Sequence, residues 1–333
     1  MENLDWLQAI PPDDPVMLSA VQSLLMEQKA GRLLWYPTPK QNLLIQTPAF
    51  ETLFGGAKGG GKTFSLLGLA RNYHKRCLIL RRTFTDLEGS LIDKSREYFR
   101  SPDYYNIAKY TWRFPDGCLI RFGHLDSAEG ATSYDGSEYD FVAFDQLEQI
   151  ESATYTHLVT IARSPDVTQR VRIVSTANPF GENIDWLIER WANWVDEQSA
   201  DKALPGELRW FVNIEGKERQ ADSEKPFTHK GELIIPRSRT YIPALPIDNP
   251  YLPQEYIGSL QNLPEPFRSQ ALYGLWTTGS TDDPYQVFPR KWIFDAMSRW
   301  MPQDGDYSCI AMDVARGGDD QTVLAKRIGP WFD

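Results

Sequence analysis

The stretch with the most specific chemistry is Phe54-Gly55-Gly56-Ala57-Lys58-Gly59-Gly60-Gly61-Lys62-Thr63. From Gly56 onward it fits G-x-x-x-x-G-K-[ST], the Walker A or phosphate-binding loop. Its glycines let backbone N–H groups turn inward around a polyphosphate, and the helix that follows adds the partial positive charge of its N-terminus. In this pattern Lys62 is the cation for the β- and γ-phosphates of a nucleotide such as ATP, and the Thr63 hydroxyl is a ligand for its Mg²⁺. A glycine-rich turn that merely starts a helix is the plainer alternative. Lys-Thr at the fixed offset argues against it.

A second candidate is Tyr139-Asp140-Phe141-Val142-Ala143-Phe144-Asp145, an apolar run ending in a carboxylate. An Asp at a strand's C-terminal end orders the Mg²⁺ water shell in the Walker B motif of nucleotide sites. Alone, Asp145 reads equally well as a helix cap; the loop upstream favours the Mg²⁺ role, because both motifs then share one sheet edge. Arg172-Ile173-Val174-Ser175-Thr176-Ala177-Asn178-Pro179 is a third run with a polar end at the same edge. Gln41, shortly before the first strand, carries both a donor and an acceptor and can bond adenine; a solvated loop Gln fits its residue type as well.

These groups need elements to hold them. Ala49–Phe54 reads as a buried strand before the loop, and Phe64–Ala70 continues the helix after it. Cys77–Arg82 is a second buried parallel strand. Asp86 is expected to cap a helix running to about Arg100. Tyr110–Phe114 and Cys118–Phe122 flank Pro115-Asp116-Gly117, which predicts a hairpin. Helices near 152–162 and 184–194 complete an alternating α/β pattern. Trp35–Gln41 reads as a break in the chain, 205–230 as polar and irregular, and 231–241 as one further strand. Residues 250–275 read as helical, and Tyr307–Asp313 and Gln321–Ile328 as a terminal strand pair. Before all of these, residues 1–30 have the apolar face of a helical arm.

At 333 residues the chain has material for two domains. Its 16 Phe, 15 Tyr and 11 Trp exclude wholesale disorder. The three cysteines, Cys77, Cys118 and Cys309, have no CxxC spacing, so neither a disulfide framework nor a zinc site is expected and a reducing cytosol is. No stretch has the length and apolarity of a membrane span. A net charge of −10 disfavours a chain that grips nucleic acid over its whole surface, though not one with a local basic stripe.

The order of these motifs resembles one family. The phosphate loop, Gly136–Phe141 leading into Phe144-Asp145, and Ser175-Thr176-Ala177-Asn178-Pro179 are similar to the large terminase subunit of tailed bacteriophages. Tyr241-Ile242-Pro243-Ala244 with Asp248-Asn249-Pro250-Tyr251-Leu252, and Leu263-Pro264, Phe267-Arg268 and Leu272–Trp276, extend the resemblance over roughly 35–328. It implies an α/β P-loop NTPase of the additional-strand, RecA-like kind with a mostly parallel sheet and a small helical lid. It also implies the first hairpin of an RNase H-like nuclease. The corresponding domains are an N-terminal arm (1–34), an ATPase core (35–248), a lid (249–278), a linker (279–305) and a truncated nuclease start (306–333). The function implied is an ATP-driven motor that moves double-stranded DNA into a procapsid in the host cytoplasm. Portal, small terminase subunit and a homo-oligomeric ring are the implied partners.

By the same resemblance Gln41 contacts adenine, Lys58 reaches toward the γ-phosphate, and Thr176 and Asn178 couple hydrolysis to DNA movement. Asp313 resembles the first metal-binding Asp of a nuclease that uses Mg²⁺ or Mn²⁺. One carboxylate cannot hold a two-metal site, so no cleavage is expected of this chain. Where the family has a Glu after the strand-end Asp, this chain has Gln146. A neutral amide can orient water but cannot take its proton, so impaired turnover is expected, unless Glu148 takes over as base. A helix starting there would swing Glu148 away. Arg81, Arg82, Arg100 and Arg268 are all candidates for an arginine given to a neighbouring subunit. Competing readings are a helicase-like nucleic-acid translocase, a nuclease with a nucleotide switch, and a non-hydrolysing ATP-binding structural subunit.

Overall fold

The computed structural model describes residues 35–100, 102–126, 128–197, 199–276, 296, 299–301, 305–314, 322–329 and 331–332. The expected helical arm, most of the linker and the turn at 317–320 lie outside the described residues. The chain divides into two compact units, 1–279 and 280–333.

In the first unit, helix α1 (Pro39–Gln46) precedes strand β1 (Glu51–Gly55). Residues 39–41 are therefore helical, where the sequence reading has a break. Thr38 accepts from the Gln41 N–H and Gln41 accepts from the Thr38 N–H, a capping box, with Pro39 pre-set for the first turn. All five residues of β1 are buried, as a parallel strand covered on both faces requires. Helix α2 (Lys62–Tyr73) and strand β2 (Arg76–Arg81) follow, then a helix α3 over 84–99 whose middle, Leu87–Ile92, widens to a π-helix. Thr83 caps α3 by accepting from the Asp86 N–H; Asp86 lies inside the first turn and is not the cap.

Strands β3 (Tyr105–Asn106), β4 (Thr111–Arg113) and β5 (Leu119–His124) form the expected hairpin and an extra edge. Helix α4 (Ala128–Thr132), β6 (Phe141–Phe144), α5 (Ser152–Val159), β7 (Arg172–Ala177), α6 (Ile184–Arg190) and α7 (Ala192–Val195) continue the alternation. The supposedly irregular 205–230 holds β8 (Arg209–Ile214), β9 (Lys217–Ala221) and β10 (Phe227–His229). The expected strand at 231–241 is two, β11 (Glu232–Ile234) and β12 (Arg237–Pro243). Helices α8 (Gln254–Gln261) and α9 (Phe267–Tyr273) close the unit.

Ten strands form one sheet in the order β3-β4-β5-β2-β6-β7-β1-β12-β8-β9. The six from β5 to β12 are parallel, and antiparallel strands flank them at both edges. One apolar cluster, with Phe54, Leu66, Ile79 and Phe122, lies on one face; another, with Leu53, Leu80, Phe144 and Trp191, lies on the other. Phe54 pairs with Thr176 and Phe144 with Ser175, so β1, β6 and β7 end level with one another. The polar residues that follow these strand ends are thereby brought together at one edge of the sheet.

At the opposite end of β1, Glu51 is buried between cations. Arg190 Nε and Nη2 donate to it at 2.7 and 3.0 Å, and the Tyr155 hydroxyl at 2.8 Å. Burial pushes its carboxyl up, but Arg239 and Arg190 outweigh burial and hold it at about 2 against an ordinary 4.5. A lowered carboxyl stabilises the fold above the unfolded value and loses that contribution as pH falls from 4.5 toward about 2. Glu51→Gln leaves Arg190 and Arg239 with Glu218 as their remaining carboxylate, and should cost about 3 kcal/mol at neutral pH, the equivalent of holding Glu51 at about 2 rather than 4.5, and remove this acid-sensitive component. Urea unfolding at neutral pH and near pH 3 checks it; equal loss at both pH values contradicts it.

The second unit contains β13 (Cys309–Asp313), β14 (Val323–Ile328) and β15 (Trp331–Phe332), paired antiparallel with Asp313 opposite Val323. The expected terminal strand pair is present.

Candidate nucleotide site

The phosphate loop leaves β1 at Gly55 and closes on α2. Gly61 takes φ +74° at the helix start, a conformation glycine adopts without strain. Gly60 passes so near β12's exit that an added Cβ would lie 2.7 Å from the Ala244 carbonyl carbon. The loop is also held from the α8–α9 side: Lys58 N donates to Ala271 O at 3.1 Å, and Asn249 Nδ2 to Gly59 O at 2.7 Å. A cavity of about 810 Å³ opens over it, lined by the loop residues from Lys58 to Thr63 and by Gln41, Asp145, Gln146, Thr176 and Asn178.

Lys62 stands at its centre. Nζ donates to the carbonyls of Ala57 and Gly56 at 2.6 and 3.3 Å and to Asn178 Oδ1 at 3.0 Å. These partners are neutral, and among the described residues no carboxylate lies within ion-pair distance of it. Burial lowers its pKa to about 8, against the opposing pull of Glu148 and Asp145, so it keeps its charge at neutral pH. A half-buried cation satisfied by three neutral oxygens suits a polyphosphate, which offers it charge.

Beside it, the Thr63 hydroxyl donates toward Asp145 Oδ1 and Oδ2 at 3.2 and 3.3 Å, and Thr176 Oγ1 donates to Oδ1 at 2.6 Å. Arg81, the last residue of β2, grips Oδ2 from Nε at 2.9 Å and Nη2 at 2.8 Å. Hard oxygen donors from Thr63 and Asp145 fit Mg²⁺. Arg81 is thereby committed within its own chain and is no free arginine for a neighbour.

After Asp145 the chain turns sharply. Gln146 has φ +64°, a left-handed conformation unusual for a non-glycine residue, and its N–H donates to Thr176 Oγ1 at 3.1 Å. A single tight turn, Leu147–Gln149, follows. It does not carry Glu148 away: the side chain is buried, and its Oε1 accepts from Asn178 Nδ2 at 2.7 Å. Its Oε2 is equally buried and has no partner among the described residues. Burial lifts this carboxyl to about 7, although the Asn178 hydrogen bond and Lys62 pull it down. Asn178 thus joins Lys62 to Glu148, taking from one and giving to the other.

The remaining candidates are placed less centrally. Lys58 lies with Nζ 5.0 Å from the centre of the Phe180 ring and is exposed. Gln41 reaches the cavity wall from α1. Asp313 is exposed at the end of β13, and among the described residues no cluster of three or more acidic, His or Cys side chains is grouped to hold a metal. Sequence reasoning missed Arg81 as a partner of Asp145. It lies 64 residues away along the chain, and only the adjacency of β2 and β6 reveals it.

The family model for the terminase large subunit, T4likevirus-type, N-terminal, matches residues 53–295. This chain belongs to that family. The large terminase of a thermophilic bacteriophage is similar in fold, at 11% identity and a TM-score of 0.50, covering 89% of this chain and 67% of that one. The same phage's terminase in complex with ATP-gamma-S gives 13% identity and a TM-score of 0.47, with 87% and 64% coverage. The large terminase ATPase domain of a Thermus phage gives 13% and 0.45, with 73% and 95% coverage. This terminase chain therefore spans about two thirds of the thermophilic phage protein. No curated protein matches it. Among the described residues no helix is long and apolar enough to cross a membrane.

Proposed function

We propose that this terminase chain hydrolyses ATP to drive double-stranded DNA into a procapsid in the host cytoplasm. The observation that carries the reading is the relay Lys62–Asn178–Glu148 set beside Thr63–Asp145–Thr176 at one sheet edge. In this reading the phosphate loop and Lys62 hold the β- and γ-phosphates. Thr63 and Asp145 would hold Mg²⁺, which would supply stabilisation of the negative charge that develops on the phosphates. When a γ-phosphate draws Lys62 off Asn178, the amide is free to turn and Glu148 to approach the attacking water. Glu148 then accepts the water's proton while the hydroxide oxygen bonds to the γ-phosphorus and ADP departs. A carboxyl poised at about 7 suits a general base at neutral pH. Gln146, on the cavity wall, orients that water without taking its proton. In this reading Glu148, bonded to the cavity residue Asn178, supplies the carboxylate that position 146 lacks.

Asn178 and Thr176 would transmit the change, being bonded at once to the catalytic side chains and to β7. A portal, a small terminase subunit and ring assembly are partners that family membership supports. Asp313 is proposed as the first metal ligand of a nuclease whose other ligands are not among the described residues. The motor reading is tested by phosphate release from Mg²⁺·ATP with and without linear duplex DNA. Release that rises with DNA supports it; a rate indifferent to duplex DNA and raised by single strands favours the helicase-like alternative.

A further inference from the structure

The turn that carries Glu148 packs against Pro179-Phe180-Gly181-Glu182-Asn183, the loop between β7 and α6. Gly181 faces it most closely. A Cβ added there would lie 2.8 Å from Glu148 Cγ, 3.0 Å from the Glu148 carbonyl oxygen and 3.1 Å from Glu148 Cβ. Rotating the Glu148 side chain could clear only the first of these. The other two are fixed by the backbone, where Asn183 N donates to that same carbonyl at 3.1 Å and Ile150 N to Leu147 O at 2.9 Å. Gly181 also has φ +149°, which other residues adopt only with strain. It is exposed, so burial sets no limit on its side chain. The limit on that side is the root of Glu148.

The head of Glu148 is held far more lightly than its root. Oε1 has one hydrogen bond, from Asn178 Nδ2 at 2.7 Å, and Oε2 has no partner among the described residues. Once Asn178 turns, packing at the root decides where the carboxylate goes. We propose that Gly181 is a positioning residue for hydrolysis, its missing Cβ leaving the space that aims Glu148 at the attacking water. An added methyl group must push the two segments apart, and a shift at the root is carried to the carboxylate. A misplacement of about 1 Å can cost about 10²-fold in rate. Nucleotide binding should be spared, because Gly181 does not line the cavity.

This inference rests on Glu148 as the base, and one set of variants separates the two. Phosphate release at saturating Mg²⁺·ATP and competition binding of ATP are measured on the full chain. The proteins are the parent, Gly181→Ala, Glu148→Gln and the double variant. Gly181→Ala should lower kcat by about 10- to 100-fold, with ATP affinity within about threefold of the parent. In the Glu148→Gln background no carboxylate is left to aim, so the same change should alter the residual rate by less than about threefold. Backbone strain alone would act equally in both backgrounds. An equal drop in both, or a loss of ATP affinity together with turnover, makes Gly181 a residue of the fold and overturns the proposal. Parent-like turnover by Gly181→Ala beside a slow Glu148→Gln also overturns it and leaves the base in place. If Glu148→Gln itself matches the parent, the base reading is wrong and the proposal falls with it.

Discussion

Glu148→Gln should lower ATP turnover by about 10²- to 10⁴-fold, the usual contribution of a positioned general base. Nucleotide affinity should change little, because the phosphates are held by the loop and Lys62. The substitution is isosteric, and the new amide oxygen can still accept from Asn178 Nδ2. It also removes a buried carboxylate whose second oxygen is unpartnered, so thermal stability above pH 7 should hold or rise. The pH profile gives an independent readout. Glu148 must be ionised and titrates at about 7; Lys62 must be protonated and titrates at about 8. For the parent, kcat/KM should fall below the first value and above the second, a narrow bell. In Glu148→Gln the acid limb should disappear from the residual rate. Gln146→Glu should change turnover far less. A tenfold or greater gain in that variant, with Glu148→Gln near the parent rate, would instead return the role to the residue after Asp145.

Lys62→Ala should weaken Mg²⁺·ATP binding by roughly 10- to 150-fold, equivalent to the ~1.5–3 kcal/mol of a charge-assisted contact. The argument is electrostatic. Nζ has three neutral acceptors and, among the described residues, no carboxylate within ion-pair distance, so phosphates would supply the anion. Its loss also removes the charge that pulls Glu148 down, so the Glu148 carboxyl should titrate higher than about 7 in this variant. Competition binding measures the first effect; Lys62→Ala with parent affinity would mean that the loop does not hold the phosphates.

The phosphate loop was legible because its geometry is local: a strand end, glycines at fixed offsets and a helix start fix where Lys62 and Thr63 point. The parallel core was legible for a related reason, since β1, β2, β6 and β7 are buried on both faces and read as continuous apolar runs. What was hidden depends on distant pairing or on one dihedral angle. Arg81 meets Asp145 only because β2 lies beside β6. Glu148 stays in the site because Gln146 takes a left-handed turn that no residue type demands. The β8–β9 and β10–β11 hairpins did leave a trace. Glu215-Gly216 and Lys230-Gly231 both have positive φ at two successive residues, the requirement of a type I′ turn. Their X-Gly pairs sit between short runs, three of them of three to five residues, and only Lys217–Ala221 is dominated by charged and polar side chains.

The central claim, that this terminase chain hydrolyses ATP at the β1–β6–β7 edge, is tested most directly by phosphate release under saturating Mg²⁺·ATP between pH 7 and 8. Lys62→Ala and Glu148→Gln serve as blanks, and binding is measured alongside. Release by the parent well above both variants, with Glu148→Gln still binding ATP, is the predicted result. Tight binding by the parent with release no faster than Glu148→Gln would contradict it and make the chain a nucleotide-binding structural subunit.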